Sequence, residues 1–201
     1  MKITSRETYK IVRAILQLKR FTQYEISKKE NVTFSLVNRT VNWFVEIGYI
    51  AKSNGRYELA APASVISLFP LFRKMKPFAV FDIDLPRETV LGILKGKSIL
   101  CLTSALSFYD DYYRDPSIYA YAKNDILAEE LKDYPKGYAH IELFKEDLNK
   151  DDFIKKGGHE ITTKTRTVID LFCSGKGYSA ERLIKKEWGK THEIPVGYEA
   201  G

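Results

Sequence analysis

The sequence predicts an α+β protein, with an N-terminal winged helix-turn-helix over residues 1–61 followed by a mixed α/β second domain over residues 62–201. Three observations carry that expectation. Thr33 to Ile50 reads TFSLVNRTVNWFVEIGYI, an apolar stripe at helical spacing with a polar opposite face. An Asn54-Gly55 pair between two short strand-like runs follows almost at once, a strong hairpin signal. The formal charge of +6 is also unevenly spread: eleven Lys and Arg stand against five Asp and Glu through Ala61, which leaves twenty-one of each beyond it. A basic module beside a neutral one is the electrostatic footprint of phosphate contact.

Taken in order, Ser5 can cap a first helix in which Tyr9, Val12, Ile15 and Leu16 recur on one side before the basic Lys19-Arg20 end. Thr22 can cap a short second helix through Ser27 and Lys29, with Ile26 pointing inward. The bend at Glu30-Asn31-Val32 has the length of a helix-turn-helix corner. On a helix beginning near Thr33, Val37, Val41, Phe44 and Val45 share a buried stripe, and Ser35, Asn38, Arg39 and Asn42 face outward. Short hydrogen-bonding side chains and one guanidinium suit base edges and phosphates in a major groove. Gly48 ends this helix, and strands at Tyr49–Lys52 and Tyr57–Leu59 bracket the turn, where Lys52 and Arg56 are placed to meet phosphates. A small helical bundle without a nucleic-acid role explains neither the polar face nor the hairpin.

The linker is read at Ala60-Ala61-Pro62-Ala63, where periodicity is lost. An apolar helical stretch from Val65 to Met75 follows, interrupted by Pro70, and suits packing between domains or a subunit interface. In the second domain Phe78–Leu85 alternates as a strand, Pro86–Lys95 reads as a helix with proline in its first turn, and Ile99–Tyr113 reads as one buried helix. Further strands are expected at Ile118–Ala122, Tyr138–Lys145, Phe153–Lys156 and His159–Thr162, and helices at Ile126–Leu131, Thr165–Cys173 and Ser179–Trp188, before a loose Gly- and Pro-containing tail.

Enzymatic readings of this domain meet specific objections. Gly96-Lys97-Ser98 looks like the end of a phosphate-binding loop, but Gly92 is one residue too close and a helix precedes it where a strand is required. Asp82 and Asp84 share a strand face, yet no Gly-Ser loop stands upstream to cradle a nucleotide phosphate, so they read as solvent-facing carboxylates. His140, His159 and His192 lack ligand spacing, which argues against a metal site. Neither a cofactor nor a catalytic residue is expected. Cys101 and Cys173 lie in apolar neighbourhoods and read as buried, reduced thiols of a cytoplasmic protein, with a disulfide or metal pair as the alternative; nothing resembles a signal peptide or a membrane span.

Two segments carry a family resemblance. Thr103-Ser104-Ala105-Leu106-Ser107-Phe108-Tyr109, followed later by Ile161 to Leu171 (ITTKTRTVIDL), resembles the AbiEi family of antitoxin-type transcriptional regulators of abortive-infection systems. In that family an S-A-L helix and an I-T-x-x-x-R-T-x-x-D segment frame a mixed α/β domain behind a winged helix. Tyr109-Asp110 stands where the family has histidine-glycine. The resemblance implies a DNA-binding repressor of its own operon, commonly encoded beside a nucleotidyltransferase-like toxin. Arg166 and Asp170 of the second motif are four residues apart on one helix, can pair, and read first as structural.

The leading expectation is therefore a non-catalytic, sequence-specific regulator that binds double-stranded DNA at its own promoter, with a toxin partner and a homodimer as candidate assemblies and no membrane. An enzyme acting on nucleotide or nucleic acid, targeted by its winged helix, is the alternative. A winged helix used only for protein contact is the third.

Overall fold

The computed structural model describes residues 4–189; the Gly- and Pro-containing tail and His192 lie outside the described residues. The chain mixes helices with two β-sheets and divides into two compact units, Met1–Leu68 with Ile184–Gly201, and Phe69–Leu183.

In the first unit α1 (Arg6–Leu18) begins where the Ser5 hydroxyl accepts the Thr8 N–H at 3.2 Å. A two-residue strand, β1 (Arg20–Phe21), precedes α2 (Gln23–Glu30), and α2 opens with a reciprocal capping box between Thr22 and Glu25. Asn31, in the left-handed conformation, turns the chain toward α3 (Phe34–Glu46). The hairpin of β2 (Ile50–Ser53) and β3 (Arg56–Leu59) pairs with β1 in the antiparallel order β1-β3-β2. Asn54 and Gly55 have φ of 49° and 74°, the two positive values that a type I′ turn requires.

The core of this unit takes Ile11, Val12, Ile15 and Leu16 from α1, Ile26 from α2, and Val37, Val41 and Phe44 from α3. Each such side chain stabilises by about 1.5–3 kcal/mol relative to exposure, which fixes the buried side of α3 and therefore its outer side. Val45, expected in the stripe, is only half-buried, while Thr40 is fully buried and donates its hydroxyl to the Leu36 carbonyl at 2.8 Å. Pro62 opens α4 (Pro62–Ser67) at its first position, where its missing N–H is harmless, so the segment read as a periodicity-free linker begins a helix that packs on α1.

The second unit begins with a one-turn helix, α5 (Phe69–Phe72), with Pro70 inside its first turn. It continues through β4 (Ala79–Ile83), α6 (Arg87–Leu94), β5 (Ser98–Leu100), α7 (Leu102–Leu106), β6 (Ile118–Ala122), α8 (Ile126–Lys132), β7 (Ala139–Lys145), β8 (Phe153–Lys156), β9 (His159–Thr162) and α9 (Lys164–Cys173). The chain is divided within α10 (Glu181–Trp188), whose end returns to the first unit: the Trp188 indole donates to the Leu16 carbonyl at 3.0 Å.

The six strands run in the order β4-β7-β6-β5-β9-β8, with β6–β7 and β5–β9 parallel and the other pairs antiparallel. Val90 and Leu94 of α6 and Leu127 and Leu131 of α8 join Ile83, Ile118, Ala120, Ile141 and Leu143 in one core. At the end of β4 the chain returns as Pro135–Gly137, with Asp84 N–H donating to the Pro135 carbonyl at 2.8 Å and Gly137 N–H to the Asp82 carbonyl at 3.1 Å. A Cβ on Gly137 would stand 2.3 Å from the Asp84 Cα, so only glycine permits this approach.

One expected element is corrected. Ile99–Tyr113 is not a single helix: its first residues belong to β5, Cys101 is extended, and the helix covers only Leu102–Leu106. Every residue of β5 is buried, and a strand buried on both faces has no alternation to distinguish it from a buried helix.

Candidate nucleic-acid interface

The outer side of α3 carries Ser35, Arg39 and Asn42, all exposed and spaced at i, i+4 and i+7, so that they form one stripe along the helix. The Arg39 guanidinium makes no hydrogen bond or ion pair among the described residues and is free to meet a ligand. Asn38 differs. It is half-buried at the edge of the stripe, its Nδ2 donates to Gln23 Oε1 at 3.0 Å, and its Oδ1 accepts from Asn42 Nδ2 at 3.2 Å.

Gln23 is the first residue of α2 and is 7% exposed; its Nε2 donates to the Tyr57 hydroxyl on β3 at 3.0 Å. Tyr57 is in turn stacked on the buried Phe21, with ring centroids 5.9 Å apart. A chain of four polar side chains therefore ties the hairpin to α2 and α2 to α3.

Lys52 and Arg56 are exposed on the hairpin, either side of the turn. The Lys52 ammonium lies 5.8 Å above the Tyr57 ring, and Arg56 is 3.9 Å from the Glu25 carboxylate, a solvent-exposed pair of little energetic weight. Two exposed aromatics, Tyr24 on α2 and Phe34 at the start of α3, stand on the same two helices. Arg13 of α1 pairs with Glu30 of α2 at 2.9 Å, both buried, and links the two helices.

No sequence pattern announces Gln23 or Tyr57, because neither lies on α3 and their partners are 15 and 34 residues away. A glutamine in the first turn of α2 and a tyrosine opposite Lys52 give no periodic signal.

Protein-family models, curated proteins and solved structures were each compared with the chain, and none matches.

In the second unit Asp82 of β4 and His140 of β7 stand opposite each other in the sheet. Asp82 Oδ1 is 2.7 Å from His140 Nδ1, whose other nitrogen is 3.4 Å from Glu142; the hydrogen bond to Asp82 raises the imidazole pKa above its usual value, against burial and with help from Glu142. Gly96 turns the chain from α6 into β5, the reverse of the strand-to-helix order of a phosphate loop; Lys97 pairs with Glu130, and Ser98 donates to the Leu94 carbonyl. Among the described residues no group of three or more His, Cys, Asp or Glu could hold a metal ion, and no helix is long and apolar enough to cross a membrane.

Arg166 and Asp170 do pair, at 2.9 Å, inside a wider network. Arg73 donates to Asp170 at 2.5 Å and to the Tyr121 hydroxyl at 2.6 Å, Tyr121 donates to Asp170 at 2.9 Å, and both arginines reach Asp147. Burial, followed by the Asp170 charge, pushes the Tyr121 phenol well above its usual range. For Arg73, burial opposes the charge, but Asp170 leads the neighbours that hold it firmly protonated. Cys101 and Cys173 are free thiols; burial pushes Cys101 well up and Cys173 to about 12.

Proposed function

We propose that the first unit is a winged helix-turn-helix and that the protein is a cytoplasmic, sequence-specific DNA-binding regulator of the AbiEi type, a repressor of its own operon. The reading rests on one observation above the rest. Ser35, Arg39 and Asn42 form an exposed polar stripe on a helix whose opposite side is locked into the core. Lys52 and Arg56 on a tight hairpin, and a segment that holds the whole net charge of +6, add the phosphate-binding component.

In this reading α3 enters the major groove, Arg39 contacts a base edge or a phosphate, and the hairpin lies against the backbone. The second unit is non-catalytic and serves regulation or contact with a partner, including a nucleotidyltransferase-like toxin. Its most densely bonded polar cluster, around Arg166, is buried and holds the unit together.

A nuclease footprint of the purified protein on the DNA upstream of its own gene tests the reading. Protection of a discrete site of about one to two helical turns is expected. Uniform, sequence-independent protection, or none, overturns the repressor.

A further inference from the structure

The geometry points to Asn42 as the side chain that selects an adenine in the bound DNA, with Asn38 and Gln23 as positioning residues that hold its amide and Tyr57 as their anchor; this rests on the DNA-reading function proposed above. An asparagine amide has a donor end and an acceptor end, and a freely rotating one presents either to a base. Asn42 is not free. Its Nδ2 donates to Asn38 Oδ1 at 3.2 Å, Asn38 Nδ2 donates to Gln23 Oε1 at 3.0 Å, and Gln23 Nε2 donates to the Tyr57 hydroxyl at 3.0 Å. The three amides are aligned head to tail, so the orientation of each is set by the one behind it.

The far end of the relay is rigid. Tyr57 lies opposite Phe21 in the sheet and stacks on that fully buried ring, while Gln23 is itself buried at the start of α2. Exposure rises along the relay, from buried Gln23 through half-buried Asn38 to exposed Asn42, so the interior anchors the amide presented at the surface.

That polarity has a chemical meaning. With one hydrogen of Nδ2 given to Asn38, Asn42 keeps its second N–H and a free Oδ1, one donor beside one acceptor. This is the complement of adenine, whose major-groove edge offers the N6 donor and the N7 acceptor. Asn38 has both amide ends engaged, so it orients its neighbour and leaves the groove contacts to Ser35, Arg39 and Asn42.

The test is selection of duplexes from a randomised DNA library by the full-length protein and by its Asn42→Ala and Tyr57→Phe variants, with affinity for an unrelated duplex at low salt as the measure of an intact fold. Wild type should enrich a site with adenine at one position preferred on the order of tenfold or more. Asn42→Ala should lose the preference at that position alone. Tyr57→Phe, which removes the hydroxyl that anchors the buried Gln23 amide, should weaken the same preference severalfold and leave the other positions and the low-salt affinity at wild-type values. A merely structural tyrosine would not act on one base position. An enriched site in which Asn42→Ala relaxes no position, or relaxes one that is not adenine, overturns the inference and leaves DNA reading standing, and so does an unchanged preference in Tyr57→Phe. Failure of wild type to enrich any sequence removes both.

Discussion

Among the described residues Arg166 is the largest side chain that the fold buries, and two fully buried carboxylates depend on it: Asp170 at 2.9 Å and Asp152 at 3.6 Å. Removing one member of such a cluster leaves charge in a low-dielectric interior, so Arg166→Ala should cost about 3–5 kcal/mol, read as a fall in the urea midpoint. Arg166→Lys should recover little of it, because an ammonium cannot reproduce the planar fork that serves Asp147, Asp170 and Tyr121 together. Only part of this network was legible in the sequence. The i, i+4 spacing announces the Arg166–Asp170 pair, but Arg73 lies 97 residues from Asp170 and no local pattern joins them. The burial that raises both thiols predicts that Cys101 and Cys173 react with a thiol reagent at neutral pH only as fast as the protein opens, and both at once in denaturant. Half of either thiol titrating promptly in the native protein would contradict that burial. His140 gives a pH-dependent counterpart. Its pKa is raised in the folded state, chiefly by Asp82, so the interaction stabilises fully below about pH 6.5, the usual imidazole value, and is lost as pH rises through the folded value. The stability difference between wild type and Asp82→Asn should therefore be largest at mildly acidic pH, where imidazole and carboxylate are both charged, and shrink as the pH is raised through neutrality.

Among the elements, the hairpin and α3 were the most readable because their signals are local: an Asn-Gly turn with two positive φ values, and a stripe of buried valines and phenylalanine. Two-residue β1 offered no period to read, and β5, buried throughout, was indistinguishable from helix. Asn38 shows the same limit within a helix. Helical spacing assigns it to the outer side, and only the packing of α2 and β3 reveals that its amide is engaged. The DNA contact proposed for the hairpin predicts a measurable charge effect. Replacing Lys52 or Arg56 by a neutral residue should lower the slope of log affinity against log salt by about one unit and weaken binding to all sequences alike. Unchanged slopes in both variants would turn the hairpin away from DNA. Two glycines test the backbone itself: Gly55→Ala should destabilise by about 1 kcal/mol through its positive φ, whereas Gly137→Ala should cost distinctly more, since its Cβ would meet the Asp84 backbone.

At the scale of the whole molecule, the N-terminal segment through Ala61 carries all of the net charge while the remainder is balanced, so attraction to a polyanion and the contacts that hold the second unit together are separable. Neutral substitutions on the α3 stripe should change DNA recognition without moving the urea midpoint, and those in the Arg166 cluster should do the reverse. Whether the exposed side of α3 reads DNA is answered by the affinity of Arg39→Ala for the duplex protected upstream of the protein's own gene. A loss of about 1–3 kcal/mol in specific binding, with unfolding unchanged, is the predicted result; wild-type affinity in a folded Arg39→Ala protein would contradict it.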